Sequence, residues 1–169
     1  SIRGLKMVNE LRGEVCLDLI NKFRPKKNII TSRTFGNEIN NFKELAQAIS
    51  TYANICAEKL RKEGTYAKTI HIIILTNPFK HNNQSSHKAQ KIVSLDIHTN
   101  DSLKIISSCI EALKSIYRYD CIYKKAGVML SNIIPKSQLQ LTLFTNNADI
   151  IKREKLMLAM DKLNNNLGK

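Results

Sequence analysis

Residues 40–64, NNFKELAQAISTYANICAEKLRKEG, constrain the fold of this chain more than any other stretch. Phe42, Leu45, Ala46, Ile49, Ala53, Cys56 and Leu60 recur at helical spacing and so share one face. Asn41 ahead of Glu44 resembles a capping box, and Gly64 is a suitable stop. A helix with a single apolar face must bury it against another layer. The neighbouring segments supply that layer. NIITSRTF (28–35, ended by Gly36), YAKTIHIIILT (66–76), KIVSLDIH (91–98) and YKKAGVMLSNII (123–134, stopped by Pro135) read as strands. Asn100-Asp101 cap a second helix, with Ile105, Ile106, Cys109, Ile110, Leu113 and Ile116 on one face. The order β-α-β-β-α-β predicts an α+β fold, a split βαβ with two helices on one face of a four-stranded sheet. The other face is left open.

The flanks are less regular. Leu5, Val8 and Leu11 mark a short helix that stops at Gly13, followed by the connector VCLDLI. NKFRPKK is basic and kept extended by Pro25. Asn77-Pro78 opens a polar loop that runs to residue 90, and ADIIKREKLMLAMDKLNN (148–165) reads as a C-terminal helix. No apolar run approaches the ~20 residues of a membrane span, and SIRGLK has no signal-peptide pattern, so a cytoplasmic setting is expected. The start at Ser1 rather than Met suggests a fragment.

Charge narrows the function. Lys and Arg number 27 against 14 Asp and Glu, a net +13, which favours a polyanionic partner such as nucleic acid. Cys16, Cys56, Cys109 and Cys121 are widely spaced and read as free thiols in a reducing compartment, and no histidine stands at metal-site spacing from them. No phosphate-cradling glycine loop, nucleophile elbow or paired acidic motif is present, so the sequence offers no catalytic constellation.

Binding groups are easier to find. Ser32, Arg33, Thr34 and Gly36 offer hydroxyls, a guanidinium and an unshielded backbone N–H suited to phosphate oxygens. Lys26 and Lys27 precede them, Lys68 and Lys91 are expected to begin the two middle strands, and Lys124 and Lys125 open the fourth. Aromatics are only 6% of the chain, with no Trp, which disfavours a base-stacking sheet and favours backbone contact to a duplex.

ELRGEVCL (10–17), SRTFG (32–36), YANICAEKLRKEG (52–64), YKKAGVML (123–130) and QLTLF (140–144) occur in an order that resembles UmuC-type Y-family DNA polymerases. The resemblance covers residues 4–144, and more loosely 150–165. It implies the end of the thumb and a linker over 1–20, a DNA-binding little finger over 21–135, a clamp-binding segment over 136–147 and the start of the tail over 148–169. It further implies translesion synthesis in the SOS response, near the nucleoid, with primer-template DNA, the sliding clamp, processed UmuD and RecA as partners. Catalytic carboxylates and magnesium would belong to a palm upstream of this fragment, which itself holds no cofactor. Arg33, within SRTFG, carries over as a phosphate contact better than Lys124 and Lys125 do.

QLQLTLF (138–144) alternates leucine with polar residues, a pattern shared by an edge strand and by a peptide docked in extended form. Four strands are complete before Pro135, so the segment reads as lying outside the core. Gln140, Leu141, Thr142, Leu143 and Phe144 match the clamp peptide of the family. Leu143 and Phe144 would each contribute ~1.5–3 kcal/mol on full burial. Ordering the segment offsets much of this and leaves roughly micromolar binding, about −8 kcal/mol. A regulatory protein-interaction module, its basic charge incidental, is the alternative reading.

Overall fold

The structure, a computed structural model, describes residues 2–16, 26–77, 87–139 and 147–167. Most of the connector and basic stretch around Pro25, most of the polar loop after Asn77, and residues 140–146 lie outside the described residues.

Four strands, β1 (Asn28–Ile39), β2 (Thr65–Thr76), β3 (Lys88–Thr99) and β4 (Tyr123–Pro135), alternate with helices α2 (Phe42–Lys62) and α3 (Ser102–Ile116) as expected. A helix α1 (Ile2–Leu11) precedes them; a 3-10 turn (Lys136–Gln138) and helix α4 (Asn147–Leu167) follow. The sheet order is β1-β4-β2-β3 with every neighbouring pair antiparallel. β1 and β2 therefore run parallel with β4 between them, and β3 and β4 run parallel with β2 between them. Each βαβ unit is split by a strand of the other.

Four details differ from the sequence reading. β1 continues through Gly36 to Ile39, because the ladder to β4 is already irregular after Thr34 and an outer strand tolerates a glycine there. β3 starts at Lys88, inside the segment read as loop, since Lys88 and Gln90 are exposed and only the small Ala89 between them packs on the core. Lys68 and Lys91 sit within their strands rather than at their starts, and β3 is an outer strand, not a middle one. Asn41 does cap α2, but its side chain accepts from the Lys43 N–H at 2.8 Å, the N2 amide, rather than the N3 amide of a capping box.

One core lies between helices and sheet. Leu45, Ile49, Cys56 and Leu60 of α2 and Ile105, Cys109 and Leu113 of α3 meet Ile70, Ile72 and Ile74 of β2 and Val128 and Leu130 of β4, all fully buried. Each such aliphatic side chain stabilises by about 1.5–3 kcal/mol. The small Ala53, Ala57 and Ala112 are buried too, and let the helices approach the sheet closely.

α4 is tied to the end of the domain where α2 stops. Arg61, only 6% exposed, forms a bidentate pair with Asp161 at 2.6 and 2.7 Å. Its remaining donors reach the Asn100 carbonyl (2.7 Å) and the Ser102 hydroxyl (2.9 Å). Arg153 pairs with Asp101 at 2.6 Å, and Glu154 accepts from the Tyr66 hydroxyl and from Lys136. Met157 is buried beneath this array. No residue of α1 is buried. Among the described residues no helix is long and apolar enough to cross a membrane.

Candidate nucleic-acid interface

Side chains alternate across a strand, so the register fixes which residues share the face away from the helices. Ile29 is in the core, and the hydroxyl of Thr31 accepts from the Cys56 thiol of α2, so odd positions of β1 face the helices. The open face is then built of rows across the sheet. One row is Asn28, Ser131, Thr69 and Ser94; the next is Ile30, Met129, His71 and Ile92. Ser32, Gly127, Ile73 and Gln90 form the third, and Thr34, Lys125, Leu75 and Lys88 the fourth.

These four rows hold no carboxylate. They offer hydroxyls from Ser32, Thr34, Thr69, Ser94 and Ser131, an amide from Gln90, and ammonium groups from Lys88 and Lys125. His71 Nε2 lies 2.7 Å from the Ser131 hydroxyl and fixes the centre of the face. At Gly127 the strands approach so closely that an added Cβ would stand 2.6 Å from Ser32 Cβ. Chemically, the polar groups of these rows suit phosphate oxygens, while Ile30 and Ile92 are exposed among them and Asp96, exposed two residues beyond Ser94, sets a carboxylate at their margin.

The residues singled out from sequence divide between two sides. Ser32, Thr34 and Lys125 are exposed on the open face. Arg33 is exposed but pairs with the buried Ala126, which turns it to the helix side. There its charge acts on Tyr52, whose phenol is nonetheless raised because burial outweighs the guanidinium. Lys91, opposite the buried Ile72, is likewise on the helix side of its outer strand. Lys26 and Lys27 lie exposed ahead of β1, with Lys26 paired to Glu63 at the end of α2. The Lys124 ammonium donates to the Gly36 carbonyl at 2.9 Å, which occupies it within the protein. Lys68 is half-buried beside the register shift of β2 and β3. Gln140, Leu141, Thr142, Leu143 and Phe144 lie outside the described residues.

Thr69, His71, Ser94, Ser131, Gln90 and Lys88 were not legible as a surface, because their common face depends on the strand register. A period-two tally from Ile70, Ile72 and Ile74 would have found Thr69 and His71 alone.

The impB/mucB/samB family C-terminal domain matches residues 26–143. UmuC of Salmonella typhimurium (strain LT2) is 39% identical over 165 residues, covering 97% of this chain and 39% of its own. MucB of Salmonella typhimurium is 36% identical over 159 residues, covering 94% of this chain and 37% of its own. A Y-family DNA polymerase chimera of solved structure aligns with 80% of this chain and 36% of its own, at 16% identity and a TM-score of 0.48. The chain thus spans well under half the length of the curated relatives it matches. With the family domain covering the whole sheet and both of its helices, this chain belongs to the impB/mucB/samB C-terminal domain family.

Proposed function

We propose that this chain is the DNA-binding and clamp-docking part of an error-prone translesion DNA polymerase acting in SOS repair and mutagenesis. The observation that carries the reading is the hydroxyl-bearing sheet face, four paired rows of which hold no carboxylate, on a chain of net charge +13. Its relatives UmuC and MucB support the polymerase context. In this reading the little finger holds the duplex by its phosphates, and nucleotidyl transfer belongs to a palm outside the chain. Magnesium would supply the metal chemistry there. Among the described residues no three His, Cys, Asp or Glu side chains converge.

Phosphate contact predicts affinity that falls with salt and ignores sequence. Lys88→Ala with Lys125→Ala should weaken binding to every duplex about equally and reduce the log–log salt slope by about 2, one per lysine. Arg33→Ala tests whether the interface continues round the β1 edge, and should also act equally on all sequences. Fluorescence anisotropy with two unrelated primer-templates at several salt concentrations measures both. A change of sequence preference, or no duplex binding at low salt, would sink the DNA half of the proposal.

The clamp half rests on Gln140–Phe144. Alanine at both Leu143 and Phe144 should abolish retention on immobilised sliding clamp while leaving the urea midpoint unchanged. A destabilised domain would instead show that the segment is a strand of the fold. Clamp retention without duplex affinity would favour the regulatory-module reading. Processed UmuD and RecA enter only as partners of the intact polymerase.

A further inference from the structure

We propose that Phe42, Lys114, Tyr117 and Tyr119 form a stacking cleft for an unpaired base of single-stranded DNA, separate from the open sheet face. The chain has five Phe, five Tyr and no Trp, yet four of those rings meet at one end of the domain, where α2 begins and α3 ends. Tyr117 stands at the centre. Its ring meets Phe42 edge-on at 5.1 Å and Tyr119 edge-on at 5.0 Å, and leans on Tyr123 at 5.6 Å. Two anchors make this floor rigid. The Tyr117 hydroxyl donates to the Asn40 carbonyl at 2.8 Å, and the fully buried Tyr123 accepts the Arg118 N–H at 2.8 Å.

Above the floor Tyr119 is 89% exposed, more than any other large apolar side chain among the described residues. The cleft it borders has a volume of about 230 Å³ and is lined by Phe42, Lys114, Tyr117 and Tyr119. A rigid aromatic floor, a free aromatic wall and one ammonium group are the components of single-strand binding: π-faces take bases and the cation takes the backbone. Lys114-Ser-Ile-Tyr-Arg-Tyr119 interleaves cations with aromatics, and Arg118 is itself exposed. The nearest acid in sequence, Asp120, turns a carboxylate oxygen to the Cys121 thiol at 3.8 Å. An apolar peptide would fill the same space, but these cations and the net charge of +13 favour a polyanion. The cleft is built from the helix layer, so a duplex on the open face leaves it accessible.

The test is anisotropy of the full chain with labelled oligo(dT) and with an abasic oligomer of equal length, at low salt. Oligo(dT) should bind more tightly than the abasic strand. Tyr119→Ala should weaken oligo(dT) by about 5- to 150-fold, the usual loss for one stacked base. It should leave the abasic strand, the duplex and the urea midpoint unchanged, and Tyr119→Phe should retain binding. Lys88→Ala with Lys125→Ala should impair the duplex and spare the base-dependent preference, so the two sites fail separately. Equal affinity for the two strands, or a Tyr119→Ala variant that holds oligo(dT) normally, overturns the proposal.

Discussion

Arg61→Ala is expected to destabilise the domain by about 3–5 kcal/mol, as removal of one partner of a buried ion pair does. The loss has two sources. Asp161, 16% exposed, is left without its counter-ion, and the Asn100 carbonyl and Ser102 hydroxyl lose their donor. For a chain of this size each kcal/mol lowers the melting temperature by roughly 2–4 °C. Urea denaturation measures the loss, and limited proteolysis should show α4 cut before the sheet. The double replacement Arg61→Met, Asp161→Leu should recover much of the stability, because it buries no unpaired charge. A loss below about 1 kcal/mol for Arg61→Ala would mean that α4 is not held by this pair.

Stability should decline as the pH is made alkaline. Burial, with a smaller repulsion from Cys56, pushes the Cys109 thiol from 9.0 up to about 12. Burial also raises Cys56, despite its bond to Thr31, and raises Tyr66, where Glu154 adds to the effect. In the window between the unfolded and folded values, the native state keeps a proton that the unfolded chain has lost. Stability from Cys109 is therefore complete below pH 9 and disappears as pH rises towards 12. The slope for one such group is at most about 1.4 kcal/mol per pH unit. Urea midpoints between pH 8 and 11 test this. Cys109→Ala should lower stability at neutral pH yet flatten the alkaline decline; an unchanged decline would place its cause elsewhere.

How far the sequence carried can be judged from particular residues. α2 was legible almost whole, because its apolar face repeats over 21 residues and its cap residue is local. The two inner strands were legible because both of their edges are paired, which selects continuous apolar runs. The outer strands were read short. Gly36 and the polar Lys88–Gln90 look like breakers until the register shows that one side of each strand is solvent. Arg33 shows the same limit at the site. Its neighbours Ser32 and Thr34 point to the open face, and only pairing with Ala126 reveals that Arg33 does not. The attachment of α4 was not legible at all, because Arg61 and Asp161 are 100 residues apart.

The strand order has a colloidal consequence. Thr69–Leu75 is a run of β-formers with three consecutive isoleucines and no formal charge, the kind of segment that templates cross-β assembly when its backbone is free. Here it lies in β2, hydrogen-bonded on both sides, while the strands that face other molecules carry exposed Arg33, Lys88 and Lys91 and interrupted ladders. Cations and irregularities at a sheet edge resist edge-to-edge growth. The folded domain therefore keeps its most adhesive sequence at the centre of the sheet, and its resistance to aggregation is set by how seldom β1 or β3 peels away.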